Sequence, residues 1–166
     1  MGAVMTTWNS KRLMFVSALL TFLWAETVLA ESPVEGAWRV TKSEVDGNVN
    51  ESPQPGLFIF TSTHYSIMIA TGDEPRALPA DEQNTDAEKV VAYDSFVANS
   101  GRYEVDGKSI KIRAWVAKSP NYMGGWPDNE QSLEFERDGD TLTIKGVGPT
   151  NSNFTLQRAE GAPVPW

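Results

Sequence analysis

Gly36-Ala37-Trp38-Arg39-Val40 opens the first run of extended-chain residues and decides how the rest is read. A glycine, one small residue and an indole at the head of a β-rich stretch predict a strand that drops a large ring into the end of a small antiparallel barrel. Trp38 is then a plug, and the later strands pair around it.

The pattern that follows supports an all-β domain: short β-branched and aromatic runs separated by turn residues. Ala37 to Val45 ends in Val45-Asp46-Gly47-Asn48, a tight-turn signal. Pro53 and Pro55 break regular pairing and place a loop before the next strand. Residues 56–61 and 64–70 form a hairpin through Ser62-Thr63. In its second strand Tyr65, Ile67 and Ile69 share one face, and Ser66, Met68 and Ala70 the other. Apolar residues on both faces suit a strand covered on the outside or one facing a greasy interior.

Residues 71–85 read as a polar loop, either a lid over a barrel mouth or an inert excursion. The spacing predicts a helix over 86–98, capped by Asp86. Val90, Tyr93 and Val97 recur on one face, widened by Val91 and Phe96 for packing on the sheet, and Asn99-Ser100-Gly101 stops it. Residues 102–105 and 109–117 make a second hairpin at Asp106-Gly107. Ile110, Ile112, Ala114 and Val116 point one way; Lys111, Arg113 and Trp115 point the other. The latter face is either solvated, or brings Arg113 and Trp115 into a cavity as an anchor for an anionic or aromatic ligand. The loop 119–128 carries Tyr122, Met123 and Trp126, which tuck onto the barrel end or line its entrance. Residues 131–137 and 140–147 give a third hairpin at Asp138-Gly139, and 153–159 closes the set with Phe154 and Leu156 inward. Eight strands and one short helix suffice to close a barrel, its interior either filled or holding one small ligand.

The N-terminus reads as an export signal. Lys11 and Arg12 precede an apolar run from Leu13 to Ala25, and Val28-Leu29-Ala30 offers a cleavage site before Glu31. A run of this length falls short of the roughly 20 residues that cross a bilayer, so no stable membrane span is expected after cleavage. The expected organisation is a signal peptide at 1–30, a barrel domain at 31–160 and a flexible tail at 161–166, with a periplasmic or secreted product.

Removing Lys11, Arg12 and Glu26 from 14 basic and 22 acidic residues leaves 12 and 21, a net charge of −9 for the expected mature chain. That balance argues against nucleic-acid partners and anionic membrane surfaces. Cysteine is absent from the sequence, which excludes disulfides and thiolate chemistry. His64 is the one histidine. A hydrolytic triad needs such a base beside a nucleophile and an orienting carboxylate, and a zinc site needs several N or S ligands. At a strand start, His64 reads as a surface or rim residue. Glu134 and Glu136 sit about 7 Å apart on one strand face, a solvated edge rather than an acid–base pair. No catalytic group and no cofactor is called for.

The ordered series Gly36-Ala37-Trp38, Val45-Asp46-Gly47, Tyr93-Asp94-Ser95-Phe96 with Gly101-Arg102-Tyr103-Glu104-Val105, Pro120-Asn121-Tyr122 with Gly124, and Leu133 to Leu142 resembles the bacterial lipocalin-like domain family. The resemblance spans nearly all of residues 34–158. It implies an eight-stranded lipocalin-like barrel and, by analogy with lipocalins, ligand binding. One departure is Tyr122, where the family commonly carries Trp.

The functional expectation is an exported barrel that binds a small hydrophobic or amphipathic molecule, with Trp38, Tyr65, Met68, Tyr93, Arg113, Trp115 and Tyr122 lining or capping the site. The competing readings are an isomerase- or cyclase-type enzyme without a covalent nucleophile, using Tyr65 or Arg113, and a solid structural barrel.

Overall fold

The computed structural model describes residue 2 and residues 31–78, 85–125, 128–148 and 151–159. The expected signal peptide, apart from Gly2, and the tail 161–166 therefore lie outside the described residues, as does Trp126 of the loop 119–128.

Nine strands form one antiparallel sheet: β1 (Gly36–Val45), β2 (Asn48–Asn50), β3 (Gly56–Phe60), β4 (His64–Ala70), β5 (Phe96–Asp106), β6 (Ser109–Ala117), β7 (Glu130–Asp138), β8 (Thr141–Val147) and β9 (Ser152–Arg158). Pairing of β1 with β9 closes eight of them into a barrel, and β2 pairs only with the far end of β1, outside the ring. The closed eight-stranded barrel follows from the sequence pattern; the short β2 is additional. Its turn, Asp46-Gly47, has positive φ at both residues (51° and 80°), the geometry an Asp-Gly pair favours. In the β5–β6 and β7–β8 hairpins the two-residue loops are Gly107-Lys108 and Gly139-Asp140, with positive φ only at the glycine. Glycine in the first central position is the other preferred hairpin solution.

The helix differs from expectation. Helix α1 spans Asp86–Asp94, and Thr85, not Asp86, caps it through a reciprocal capping box with Glu88. Asp86 instead pairs with Lys89 at 2.8 Å. Val90, Val91 and Tyr93 are exposed, and no residue of α1 is buried. Phe96 to Ala98 belong to β5, where they pair with Ala70 to Met68, and Asn99-Ser100-Gly101 continue that strand. Backbone pairing with β4 has taken over the last turn of the predicted helix, and its apolar stripe loses the sheet it was to cover.

Three β-bulges kink the ring, all in the half towards which β1 runs. Thr41 is the extra residue of β1 against β9, Trp115 that of β6 against β5, and one residue of Lys145-Gly146 that of β8 against β9. Each bulge reverses the inward–outward alternation beyond it. Past Thr41, Ser43 and Val45 turn towards the interior while Lys42 pairs with Glu51 at 2.6 Å. Past Trp115, Val116 turns outward and is 59% exposed, although alternation from Ile110 places it inside.

The other half is packed solid. Trp38, Phe58, Phe60, Ile67, Ile110, Leu133, Leu142, Ile144 and Leu156 are essentially inaccessible. Phe58 meets Phe154 with ring centroids 5.7 Å apart, and Phe60 meets Tyr103 edge-on at 5.2 Å. Trp38 sits at the floor of this half, where its indole N–H donates to the Val34 carbonyl at 2.8 Å. The guanidinium of Arg158 lies 4.5 Å from the indole centroid and that of Arg137 lies 5.4 Å away. Both arginines also hold the lead-in segment: Arg137 donates to Pro33 O at 2.9 Å and Arg158 to Glu35 O at 3.2 Å. Gly36 leaves room for this, since a Cβ on it would stand 2.5 Å from an Arg158 guanidinium nitrogen and displace that side chain from the indole. Its φ of 130° also disfavours any other residue.

Candidate ligand cavity

A cavity of about 1030 Å³ occupies the bulged half of the barrel. Its apolar wall is built from Val40, Ile69, Val97, Val147 and Phe154, each on the inner side of a different strand. Around the mouth stand Asn48, Asn50, Asp73, Lys118 and Ser119, and Tyr122 contributes to the wall from its own loop. The bulges explain this composition. Beyond them Val45 and Val147 face the cavity, while the charged residues of the same strand segments, Lys42 and Lys145, pair with Glu51 and Glu136.

Tyr122 ends a 3₁₀ turn, Pro120–Tyr122. Its carbonyl accepts from Asn129 Nδ2 at 2.7 Å, and the same amide donates to Ala114 O at 3.1 Å, which ties the loop to β6. Tyr122 also lines a second hollow of about 520 Å³, with Gln131, Ser132 and Gly146, so it stands as a partition between the two spaces. A Cβ at Gly148 would lie 2.9 Å from its hydroxyl and push the phenol aside, and the φ of 72° there favours glycine as well.

The candidate residues separate into three groups. Tyr122 lines the cavity. Trp38 and Tyr65 are buried inside the barrel, Trp38 at the packed end. Met68, Tyr93, Arg113 and Trp115 are not part of the cavity wall. Met68 and Trp115 are exposed on the outer surface, and Trp115 packs edge-on against His64 at 4.9 Å. Arg113 is paired on the outside with Glu104 at 3.5 Å and with Glu130, so of the two readings of that strand face the solvated one holds. Tyr93 stands one contact away. Its ring lies 3.9 Å beneath the Lys118 ammonium, its carbonyl accepts from that ammonium, and its hydroxyl donates to Lys118 O at 3.3 Å. It thus positions Lys118, a cation at the mouth that sequence reasoning misses.

Sequence reasoning misses the wall residues Val40, Val97 and Val147 as well. Strand alternation alone places Val40 inside, but Val97 reads as part of a helix, and Val147 depends on a bulge. Burial pushes the phenols of Tyr65 and Tyr122 above the ordinary tyrosine range, and the neighbouring Tyr122 adds to the shift at Tyr65. Among the described residues no three His, Cys, Asp or Glu side chains cluster to hold a metal, and no helix is long and apolar enough to cross a membrane.

The model of the lipocalin-like domain matches residues 35–162. The chain belongs to the lipocalin-like domain family. Two solved structures are similar to this lipocalin-like chain. One is a lipocalin-like protein from Bacteroides uniformis ATCC 8492, at 14% identity and a TM-score of 0.44, covering 75% of this chain and 96% of that one. The other is an uncharacterized protein from Bacteroides eggerthii DSM 20697, at 11% identity and a TM-score of 0.42, covering 75% and 98%. Comparison with curated proteins finds no match.

Proposed function

We propose that this lipocalin-like barrel binds one small hydrophobic or amphipathic molecule in the cavity of its bulged half. The observation that carries the reading is the cavity itself. At about 1030 Å³ it lies at the upper end of the range for small-molecule pockets, roughly 300–1,000 Å³. The same observation weighs against a solid structural barrel. The wall of Val40, Ile69, Val97, Val147 and Phe154 offers apolar area, and burying it against a ligand contributes about 25 cal/mol per Å² before binding entropy is subtracted. Polar and charged groups gather at the mouth, so an amphipathic ligand is the best fit.

The apolar run 13–25 and the small residues before Glu31 support export as part of the same proposal, with the ligand met in the periplasm or outside the cell. Intact mass of protein recovered from its own host tests both parts. Export requires a chain beginning at Glu31, and ligand binding requires a co-purifying small molecule or saturable uptake of a neutral dye such as N-phenyl-1-naphthylamine. A Val97→Trp variant, which fills the cavity from β5, is expected to weaken dye uptake about tenfold or more while leaving the barrel folded. Wild-type uptake that is absent, or unchanged in that variant, overturns the binding reading.

A further inference from the structure

The β7–β8 ladder ends at the Glu134–Lys145 pair. Past it, Gln131 and Ser132 stay paired with Ile112 and Lys111 of β6, and Val147 with Ser152 of β9. The bulge at Lys145-Gly146 falls at this point, and the Gly146 N–H donates to Asn153 Oδ1 on β9 at 3.4 Å. The barrel wall is thus parted between β7 and β8. The second hollow, of about 520 Å³, lies at the parting, with Gln131 and Ser132 on one side and Gly146 and Gly148 on the other. Its lining among the described residues carries no charge.

Among the described residues, Ser119, Tyr122 and Gly148 border both this hollow and the main cavity of about 1030 Å³. A serine and a glycine offer little to separate two spaces; a phenol does. The Tyr122 hydroxyl reaches so close to Gly148 that a Cβ there would stand 2.9 Å away. The ring therefore spans from the loop after β6 to the end of β8, behind the parting. The Tyr122 carbonyl is held by the Asn129 amide, which also donates to Ala114 O, so the anchor of this loop does not depend on the ring.

We propose that the Tyr122 ring is a size-determining wall, which ends the main cavity at the parted seam and restricts the site to compact or short-chain ligands. The proposal rests on the cavity-binding reading and narrows its ligand class. A long alkyl chain gains contact only as far as the ring, and its further carbons stay in water at the mouth. Without the ring the two spaces join, and the same chain runs on between β7 and β8. The uncharged lining lets a chain enter there without stranding an ion.

Displacement of N-phenyl-1-naphthylamine by octan-1-ol, decan-1-ol, dodecan-1-ol and tetradecan-1-ol tests this on the purified protein. Each newly buried methylene adds about three- to fourfold in affinity, and in the wild type that gain is expected to stop part-way along the series. In Tyr122→Ala it is expected to continue, so that the ratio of tetradecanol to octanol affinity rises about tenfold above the wild-type ratio. Tyr122→Phe keeps the ring and should keep the wild-type ratio. Adding Gln131→Trp to Tyr122→Ala refills the hollow from β7 and should take the gain back. An unbroken gain in the wild type, a ratio unchanged in Tyr122→Ala, an equal rise in Tyr122→Phe, or a rise that survives Gln131→Trp overturns the wall. Dye binding that persists in those cases leaves the cavity reading standing; failure of the dye and of every alcohol to bind the wild type removes both.

Discussion

The Arg158 guanidinium lies 4.5 Å from the centroid of the Trp38 ring, joining the last strand of the barrel to the first across their shared seam. Trp38 pairs directly with Arg158 in the β1–β9 ladder, so the contact closes the ring and seals its packed end together.

Trp38→Ala is expected to cost roughly 3–5 kcal/mol, the range for deleting a large buried aromatic side chain. Arg158→Met keeps most of the stem but loses the cation over the indole and the bond to Glu35 O, and should cost about 1–3 kcal/mol. Urea unfolding of both variants measures this. A midpoint at the wild-type value for Trp38→Ala would show that the indole is not a structural plug.

Beyond Thr41, the inward facing of β1 is expected to survive loss of the bulge residue itself but not loss of the residue after Lys42. Deleting Thr41 leaves Val40–Leu156 and Lys42–Thr155 as consecutive pairs of a regular ladder, with Lys42 and Glu44 still outward and Ser43 and Val45 still inward. Deleting Ser43 instead turns Glu44 into the inward position opposite Phe154, and burying that charge costs several kcal/mol, enough to unfold a marginal domain. Thr41→Ser retains the hydroxyl that donates to Thr155 O at 3.1 Å and should cost less than about 1 kcal/mol. Circular dichroism melts of the two deletions and of Thr41→Ser measure this, and unfolding of the Thr41 deletion alone would contradict the register.

Substitution on α1 is expected to be nearly silent. Val90 and Val91 are each 59% exposed, so Val90→Gln and Val91→Gln should change stability by no more than about 0.5 kcal/mol. Thr85→Ala removes the capping box and should cost about 1 kcal/mol, local to the helix and visible as faster amide exchange there. A loss of several kcal/mol at Val90 would mean that the stripe is covered after all.

Much of this architecture is legible in the amino-acid sequence. The Asp-Gly dipeptides at 46, 106 and 138 mark three hairpins by backbone chemistry alone, and Ile110-Lys111-Ile112 or Leu133-Glu134-Phe135 name their buried faces by period two. Trp38 is assigned to the interior from the Gly36-Ala37-Trp38 opening, whereas the strand of Tyr65 is apolar on both faces and period two alone does not choose between Tyr65 and Met68. The cavity is less legible, because it depends on bulges. Thr41, Trp115 and the Lys145-Gly146 step each add one residue to a strand, a change no composition signals, and each reverses which side chains face inward. Simple alternation misplaces Val116 for that reason. The end of α1 fails differently: Phe96-Val97-Ala98 suits helix or strand locally, and pairing with Ala70 to Met68, far along the chain, decides it.

Alkaline pH is expected to unfold the protein through Tyr65. Burial holds its phenol neutral well above the ordinary value near 10, with Tyr122 adding to the shift. In the unfolded chain the same phenol ionises near pH 10. Below that pH both states carry the proton and Tyr65 contributes no pH dependence. Above it the unfolded state gives up a proton that the folded state keeps, so stability falls by up to about 1.4 kcal/mol per pH unit for this one group. Tyr103 and Tyr122 are shifted in the same direction and steepen the fall. Tyr65→Phe removes one of these protons, and it also removes a buried hydroxyl that has no partner. The variant should therefore be at least as stable as the wild type at pH 7 and lose stability less steeply above pH 10. Urea midpoints from pH 7 to 11, with phenolate absorbance followed in parallel, measure both effects. A Tyr65 phenol that ionises near pH 10 with the barrel intact would place that hydroxyl in contact with solvent, against its burial inside the barrel.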